Sequence, residues 1–518
     1  MHLRYLILAI LLAMVGVVGA QETEKKPNIV FIFSDDHAWQ TISAYSNKLM
    51  KTPNFDRIAK DGIVFKNAYV PNPICGPSRA NVLTGKYSHA NHYYRNGTEP
   101  FDVSQWTFPK EMQSAGYDTA IIGKWHLGNE AVPPGFNYSL VLVGQGAYYN
   151  PTFIEDPKGD GHRERIQITG YATDVITDRS LEWLKKQRAQ DPDKPFMLML
   201  QHKAPHRPWM PALRHLDAFE NDTIPEPPTL FDDYEGMPRA ARLADMRIAD
   251  TMNDNDLKLK RMAGLNDEQR AVWDAKYGPR NEAFRKMNLK GKDLVRWKYQ
   301  RYVKDYMRCI LAMDENIGRV LDYLDEANLT KDTIVIYCSD QGFFMGEHGW
   351  FDKRWIYEES LRTPFMVRWP GHTPPGTVSK DIVSVIDFAP TFLDIAGQPI
   401  PADVQGRSLL PLLNGKTPDD WRKSFYYHYY EYPGWHSVRK HYGVVDGRYK
   451  LAYFYEMDMQ EWLLVDLEAD PLEQRNFYND PKYADVQQRL HAELEKLRAD
   501  LKVPEKDPKE SYPVGEPY

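Results

Sequence analysis

The residues of this 518-residue chain that could do chemistry together are acids, lysines, histidines and one thiol, most of them just beyond short apolar runs. Asp35 and Asp36 are adjacent acids, and Asp340 with Gln341 forms a second oxygen-donor pair. Two such pairs, without a cluster of Cys or His beside them, suit a hard divalent cation, Ca²⁺ before Mg²⁺. Acids merely solvated on loops are the alternative. Lys124 and His126 lie in Gly123-Lys124-Trp125-His126, and His202 and His206 in His202-Lys203-Ala204-Pro205-His206. Imidazole titrates near neutrality and suits proton transfer, although a structural hydrogen-bonding role is equally open to each histidine. Cys75 opens the segment Cys75-Gly76-Pro77-Ser78-Arg79 at an expected turn into a helix. Of the three cysteines, Cys309 falls in a helical pattern and Cys338 in an apolar strand, so both read as core thiols and Cys75 is the one left with chemistry. Three cysteines provide no disulfide framework.

The elements that must position these groups share one design. Ile29–Phe33 stops at Ser34-Asp35-Asp36, Thr119–Gly123 at Lys124-Trp125-His126, Phe196–Leu200 at Gln201-His202, and Ile334–Cys338 at Ser339-Asp340-Gln341. Continuous apolar runs fit strands buried on both faces, as in a parallel sheet. Between them lie helical patterns, such as Tyr302, Tyr306, Cys309, Ile310, Met313, Ile317, Val320, Leu321 and Leu324. This alternation argues for an α/β layered fold, in which ligands bind beyond the carboxyl ends of the strands. Residues 211–298 are rich in charge, with Pro225, Pro227 and Pro228, and are expected to form an insertion of loops and helices framing the substrate entrance. From about Trp421 the chain is rich in Tyr and His and then alternates through Tyr442–Phe454, which predicts an antiparallel C-terminal sheet. Residues 481–502 read as a helix with Val486, Leu490, Leu494 and Leu497 on one side. The expected organisation is a signal segment at 1–20, a catalytic domain at 21–420 and a C-terminal subdomain at 421–518.

Composition narrows the function classes. Hydrophobic residues are 42% and charged residues 26%, a soluble globular profile. A net charge of −7 gives no surface of the nucleic-acid-binding kind, so no nucleic acid partner is expected and an anionic substrate must meet a local basic pocket. Arg4, the apolar run Leu6–Val18 and Gly19-Ala20 before Gln21 read as a secretory signal. That run is shorter than a membrane span, and a second one is not seen. A secreted or periplasmic protein without a stable membrane partner is expected. Asn96, Asn137, Asn221 and Asn328 begin N-x-S/T sequons, which matter only in a eukaryotic secretory pathway.

The C-x-P-S-R run at Cys75–Arg79 resembles the signature of the type I sulfatases, and separate motifs from Pro27-Asn28-Ile29-Val30 to about Val503 resemble that family in the same order. The resemblance implies an alkaline-phosphatase-like fold: a large, mostly parallel central sheet flanked by helices, with a smaller C-terminal subdomain containing an antiparallel sheet. It implies that Cys75 is oxidised to formylglycine, by a formylglycine-generating enzyme or an anaerobic sulfatase-maturing enzyme, and that the hydrated aldehyde attacks the sulfur of a sulfate ester. Asp35, Asp36, Asp340, Gln341 and the converted Cys75 are then ligands to one Ca²⁺. Many relatives have Asn where Gln341 stands here. Arg79 would hold the hydrate, while Lys124 and Lys353, the latter closing Gly346-Glu347-His348-Gly349-Trp350-Phe351-Asp352-Lys353, would add charge at the sulfate oxygens. His126 would regenerate the aldehyde and His206 would protonate the leaving oxygen, with His202 a second candidate for that role. The segments Arg296–Tyr302, Gln341–His348 and Tyr427–Pro433 resemble bacterial carbohydrate sulfatases of the N-acetylglucosamine-6-sulfatase-like branch. That implies a sulfated carbohydrate substrate from a glycosaminoglycan, mucin or other glycan. His436, Arg439 and His441 are candidates for the sugar, a Tyr-rich packing surface being the other reading of that stretch. A phosphate or phosphonate monoester hydrolase of the same superfamily, and a non-catalytic glycan-binding protein with unconverted Cys75, are the alternatives.

Overall fold

The four apolar runs form the centre of a ten-stranded sheet. In the computed structural model, which describes residues 25–97, 100–128 and 133–507, its strands are β1 (Asn28–Ser34), β2 (Ile63–Tyr69), β3 (Asp118–Gly123), β4 (Tyr138–Leu142), β5 (Thr152–Asp156), β6 (Glu164–Gln167), β7 (Phe196–Gln201) and β8 (Thr333–Ser339), with two more after a short hairpin. The hairpin is β9 (Phe344–Met345) and β10 (Phe351–Asp352), and the last two strands are β11 (Phe365–Arg368) and β12 (Thr377–Ser384). The order is β12-β2-β11-β8-β1-β7-β3-β4-β5-β6. Within it β8, β1, β7, β3 and β4 are parallel neighbours, so their carboxyl ends share one edge. The signal segment expected at residues 1–20 lies outside the described residues. Among the described residues no helix is long and apolar enough to cross a membrane.

Strand side chains alternate between two cores. Val30, Ile32, Leu198, Leu200, Val335 and Tyr337 face one side, where the helices Pro53–Lys60, Ala172–Gln190 and Gly291–Glu326 cover them. Ile29, Phe31, Phe33, Met197, Met199, Ile336 and Cys338 face the other, under the helices Cys75–Thr84, Phe108–Ser114 and Phe388–Ala396. Burial on both faces is why these strands read as unbroken apolar runs. Cys309 and Cys338 are fully buried within these cores. The charged stretch 211–298 also contributes to the first core through Leu216, Ile224, Leu230, Met252, Leu257 and Trp273. Its helix Asp267–Met287 begins at a capping box, with Asn266 accepting from the Gln269 backbone and Gln269 from the Asn266 backbone.

A second, antiparallel sheet follows: β13 (Phe425–Tyr429), β14 (His441–Val445), β15 (Tyr449–Phe454) and β16 (Glu461–Asp466). The helix Ala484–Asp500 lays Leu490 and Leu494 against it, so the expected apolar side is in place. The same core takes in Trp350 and Trp355, whose rings stack at 5.0 Å. These two aromatics clamp the short segment carrying Asp352, Lys353 and Arg354 between the sheets.

The end of β3 shows how tightly the shared edge is packed. Gly123 has φ +117°, and a Cβ there would overlap the Gln201 carbonyl of β7. Gly123→Ala is therefore expected to lower the thermal unfolding temperature. Backbone strain alone costs on the order of 1–3 kcal/mol, and a melt indistinguishable from wild type would contradict this account.

Candidate active site

Register brings the acids together. Ser34 pairs with Ser339 across β1 and β8, so Asp35 and Asp340 leave the sheet side by side. Asp36 follows with φ +65°. Its backbone N–H donates to Asp340 Oδ1 at 3.0 Å, and its carbonyl accepts from the Tyr306 hydroxyl. Asp35, Asp36 and Asp340 are buried and can offer oxygens within 4.8 Å of one another. Burial, and then Asp35, push the Asp340 carboxyl up to about 8. Gln341 donates its amide nitrogen to Asp36 Oδ1, which leaves Gln341 Oε1 buried without a partner. Asp35 Oδ1 is also buried and unpartnered. Orphaned buried oxygens are rare and ask for a partner. Carboxylate and amide oxygens crowded in this way fit a divalent cation of the hard class, which would satisfy both orphans and relieve the repulsion.

Cations stand against these acids. Lys124, carried by the end of β3, pairs with Asp35 and donates to Gln145 Oε1 at 2.6 Å. Although burial opposes it, Lys124 foremost holds Asp35 well below the usual carboxylate range. Lys353 reaches both oxygens of Asp36, at 2.7 and 2.8 Å. Arg79 donates to Asp340 Oδ2 at 3.0 Å, to Gln201 Oε1 at 2.9 Å and to the Lys124 carbonyl at 3.2 Å. Lys203, which was not among the expected site residues, is buried beside them, and burial followed by Lys124 brings its ammonium down to about 8.

Cys75 is the first residue of the Cys75–Thr84 helix, and each residue after it has a local reason. The Gly76 N–H donates to Asn96 Oδ1 at 2.9 Å, and a Cβ at Gly76 would lie 2.8 Å from both Asn96 Oδ1 and Tyr93 Cε1. Pro77 sits in the first helical turn, where a backbone N–H has no intrahelical acceptor. The Ser78 hydroxyl donates to the Asp340 carbonyl and ties the helix to the acidic loop. Asn96 is held in turn, its N–H donating to Glu431 Oε2 at 2.8 Å. The Cys75 sulfur, an Asp35 oxygen and a His206 ring nitrogen lie within 4.8 Å of one another. Burial, then Asp35, push the Cys75 thiol far up, so it stays protonated and is no thiolate nucleophile.

His206 and His126 face the same place. His206 Nδ1 lies 2.7 Å from the Arg207 carbonyl, which fixes the proton on Nδ1 and turns Nε2 to the site, 3.8 Å from Asp36 Oδ2. Burial holds His206 well below the usual imidazole range, although Asp35 opposes it. His126 has φ +56° and a buried, unpartnered Nδ1. Burial and then Lys124 keep it neutral. Both line a cavity of about 470 Å³, with Lys353 and Gln145. Asp352, Arg354 and His436 line it too. His436 Nε2 lies 3.2 Å from Asp352 Oδ2 and its Nδ1 lies 2.6 Å from the Asp245 carbonyl, while Arg354 pairs with the other Asp352 oxygen.

Of the residues expected to meet the sugar, the structure therefore brings His436 to this cavity and places the others elsewhere. Arg439 is ion-paired with Glu456 and Asp458, at 3.5 and 3.1 Å, and lies over the Tyr432 ring. His441 has both ring nitrogens engaged, by the Arg439 carbonyl at 2.7 Å and the Tyr427 hydroxyl at 3.1 Å. His202 is buried with both nitrogens unpartnered, pushed down to about 3 by burial, and is not part of the cavity wall. Asp352, Arg354 and Asn96 were not expected at the site. Their adjacency to Lys353 was the available clue for the first two, and Asn96 stood out only as a sequon.

Residues 27–398 match the family described as Sulfatase, and residues 346–500 match N-sulphoglucosamine sulphohydrolase, C-terminal. An N-acetylglucosamine-6-O-sulfatase from Bacteroides thetaiotaomicron is 48% identical over 512 residues, 95% of this chain and 89% of the relative. Human N-acetylglucosamine-6-sulfatase is 31% identical over 436 residues, 80% of this chain and 70% of that protein. The solved structure of BT4656 in complex with its substrate, D-glucosamine-2-N,6-O-disulfate, superposes with a TM-score of 0.89 at 47% identity, covering 94% of this chain and 100% of the other.

The crowded oxygens generate a test independent of activity. Ca²⁺ added to chelator-treated protein is expected to raise the unfolding temperature. Saturation at a hundred times the dissociation constant corresponds to about 2.7 kcal/mol. Asp340→Asn should abolish most of that rise, and an equal rise in wild type and variant would contradict the ligand assignment.

Proposed function

The chain belongs to the sulfatase family, and from that premise we propose that it removes the 6-O-sulfate of a glucosamine-type sugar from a sulfated glycan. The observation that carries this reading is the lining of the cavity: His206, which meets Cys75 and Asp35, shares it with Lys353, Asp352, Arg354 and His436. A sulfate ester fits beside Lys353 and the Asp35–Asp36–Asp340 cluster, where cations and orphaned oxygens gather. A sugar ring fits beside Asp352, Arg354 and His436, where a carboxylate, a guanidinium and an imidazole present donors and acceptors for hydroxyls. The substrates named for the relatives described above support the choice of sugar and sulfate position.

Cys75 in this reading is converted to formylglycine by a maturing enzyme, because its C-x-P-S-R context matches the family signature and its protonated thiol is a poor nucleophile. The hydrated aldehyde supplies an oxygen nucleophile in its place. Asp35, Asp36, Asp340 and Gln341 would hold Ca²⁺, which when bound supplies positive charge to the sulfate and the nucleophile. Lys124 and Lys353 add preorganised charge beside the sulfate oxygens. Arg79 is committed to Asp340, Gln201 and the Lys124 carbonyl, so it orders the acids and the base of the nucleophile helix. The arriving sulfate anion favours a proton on His206 Nε2. As the S–O bond to the sugar breaks, its electron pair goes to the sugar oxygen and that proton follows. His126, with its unpartnered Nδ1, is available to take up a proton in the same cavity. The signal-type segment at residues 1–20 supports a secreted or periplasmic location.

Matured enzyme is expected to release sulfate from N-acetylglucosamine 6-sulfate and to spare its 3- and 4-sulfated isomers. Release from the isomers but not the 6-sulfate would overturn the assignment of position. Cys75→Ser is expected to remain folded, by unchanged circular dichroism and melting, and to give no multiple turnover; wild-type turnover by this variant would sink the formylglycine reading. His206→Ala should harm the sugar sulfate far more than nitrophenyl sulfate, because a nitrophenolate leaves without a proton. General acid assistance is worth about 10²–10⁴-fold, and equal losses in kcat/KM on the two substrates would leave His206 only a binding role.

A further inference from the structure

The cavity shares part of its wall with a second one. His206, Arg207 and Trp435 also line a second, more open cleft of about 780 Å³, completed by Pro208 and the segment around Asn253–Lys260. Trp435 stands at the junction and remains 45% exposed, unlike Trp350 and Trp355, which are fully buried. An indole kept in solvent at the mouth of a polar cavity presents a flat apolar face with a polar edge. Beyond it the cleft offers Asn255 and the exposed Asn253, Asp254 and Lys260. Its charges balance. Arg207 donates to both oxygens of buried Asp256, at 2.6 and 2.7 Å, so its charge is neutralised within the wall, and the lining adds one acid, Asp254, and one amine, Lys260. The Arg207–Asp256 pair also fastens the 253–260 segment to the backbone whose carbonyl orients His206.

We propose that this outer cleft is a second saccharide subsite, which receives the sugar linked to the sulfated one and holds it by ring stacking on Trp435 and by hydroxyl contacts to Asn255 and its neighbours. It rests on the carbohydrate reading above. The balance of charge makes the preferred occupant a neutral pyranose instead of a uronate or a second sulfated sugar.

The test is a ratio, which cancels differences in active fraction or folding. kcat/KM is measured for N-acetylglucosamine 6-sulfate and for disaccharides carrying that sugar linked to a neutral hexose or to a uronate, in wild type, Trp435→Ala and Asn255→Ala. In wild type the neutral disaccharide should exceed the monosaccharide by about 3–10-fold, the size of one aromatic contact. Trp435→Ala should bring the ratio close to one, and Asn255→Ala should lower it partway. A wild-type ratio of one, or a ratio untouched by both substitutions, overturns the subsite alone. A uronate disaccharide that outperforms the neutral one overturns the neutral-ring assignment in favour of charge recognition through Lys260. Matured enzyme that cleaves nitrophenyl sulfate but no saccharide overturns the carbohydrate reading and the subsite with it.

Discussion

Buried charge compensated across strand ends is the constraint on which the structure turns. Lys124 at the end of β3 answers Asp35 at the end of β1, Lys353 beyond β10 answers Asp36, and Arg79 in the Cys75–Thr84 helix answers Asp340 beyond β8. Every pair joins two separate chain segments. Breaking one partner of such a pair would leave an uncompensated buried charge, at about 3–5 kcal/mol. The pairs do not supply net stability, since desolvation offsets most of their attraction. They supply position, and the orphaned Asp35 Oδ1 and Gln341 Oε1 mark where the compensation is incomplete.

Stability comes instead from the two cores on either face of the large sheet and the third beneath the small one. That reserve is used at the site. Asp36, His126, Asp352, Arg354 and His436 all adopt positive φ, at 65°, 56°, 86°, 89° and 66°. Such backbone costs about 1–3 kcal/mol per residue and persists only where surrounding packing dictates it. Around Asp352 and Arg354 that packing is the aromatic stack of Trp350, Trp355 and Tyr357.

Cys75 and Arg354 are mechanically linked. Glu431 accepts the Asn96 N–H at 2.8 Å and lies 3.8 Å from Arg354, while the Asn96 side chain holds the amide next to Cys75. The connection between β13 and β14 thus bears on both the Cys75 helix and Arg354, and their relative position is held by hydrogen-bonded structure.

The periodic and local features were legible in the chain itself. Unbroken apolar runs ending in acids, Lys or His determine buried parallel strands that deliver polar groups to one edge, and Tyr442–Phe454 determines an antiparallel pair, because side-chain spacing along a strand or helix is a local property. The C-G-P-S-R run is local only in part, since Pro77 suits the first helical turn while Gly76 answers to Asn96 and Ser78 to the distant Asp340 carbonyl. Which residues of the 436–441 stretch line the cavity was not local. His441 and Arg439 lie within a few residues of His436, yet His436 turns into the cavity while His441 is held by Tyr427 and Arg439 by Glu456 and Asp458. Which neighbour faces the cavity depends on how the small sheet packs against the Trp350–Trp355 segment. The charged character of residues 211–298 likewise concealed that Asp256 reaches Arg207 beside His206. Contacts between segments far apart in the chain, settled by the packing of one sheet on another, leave no period in a sequence, and the tertiary structure alone decided them.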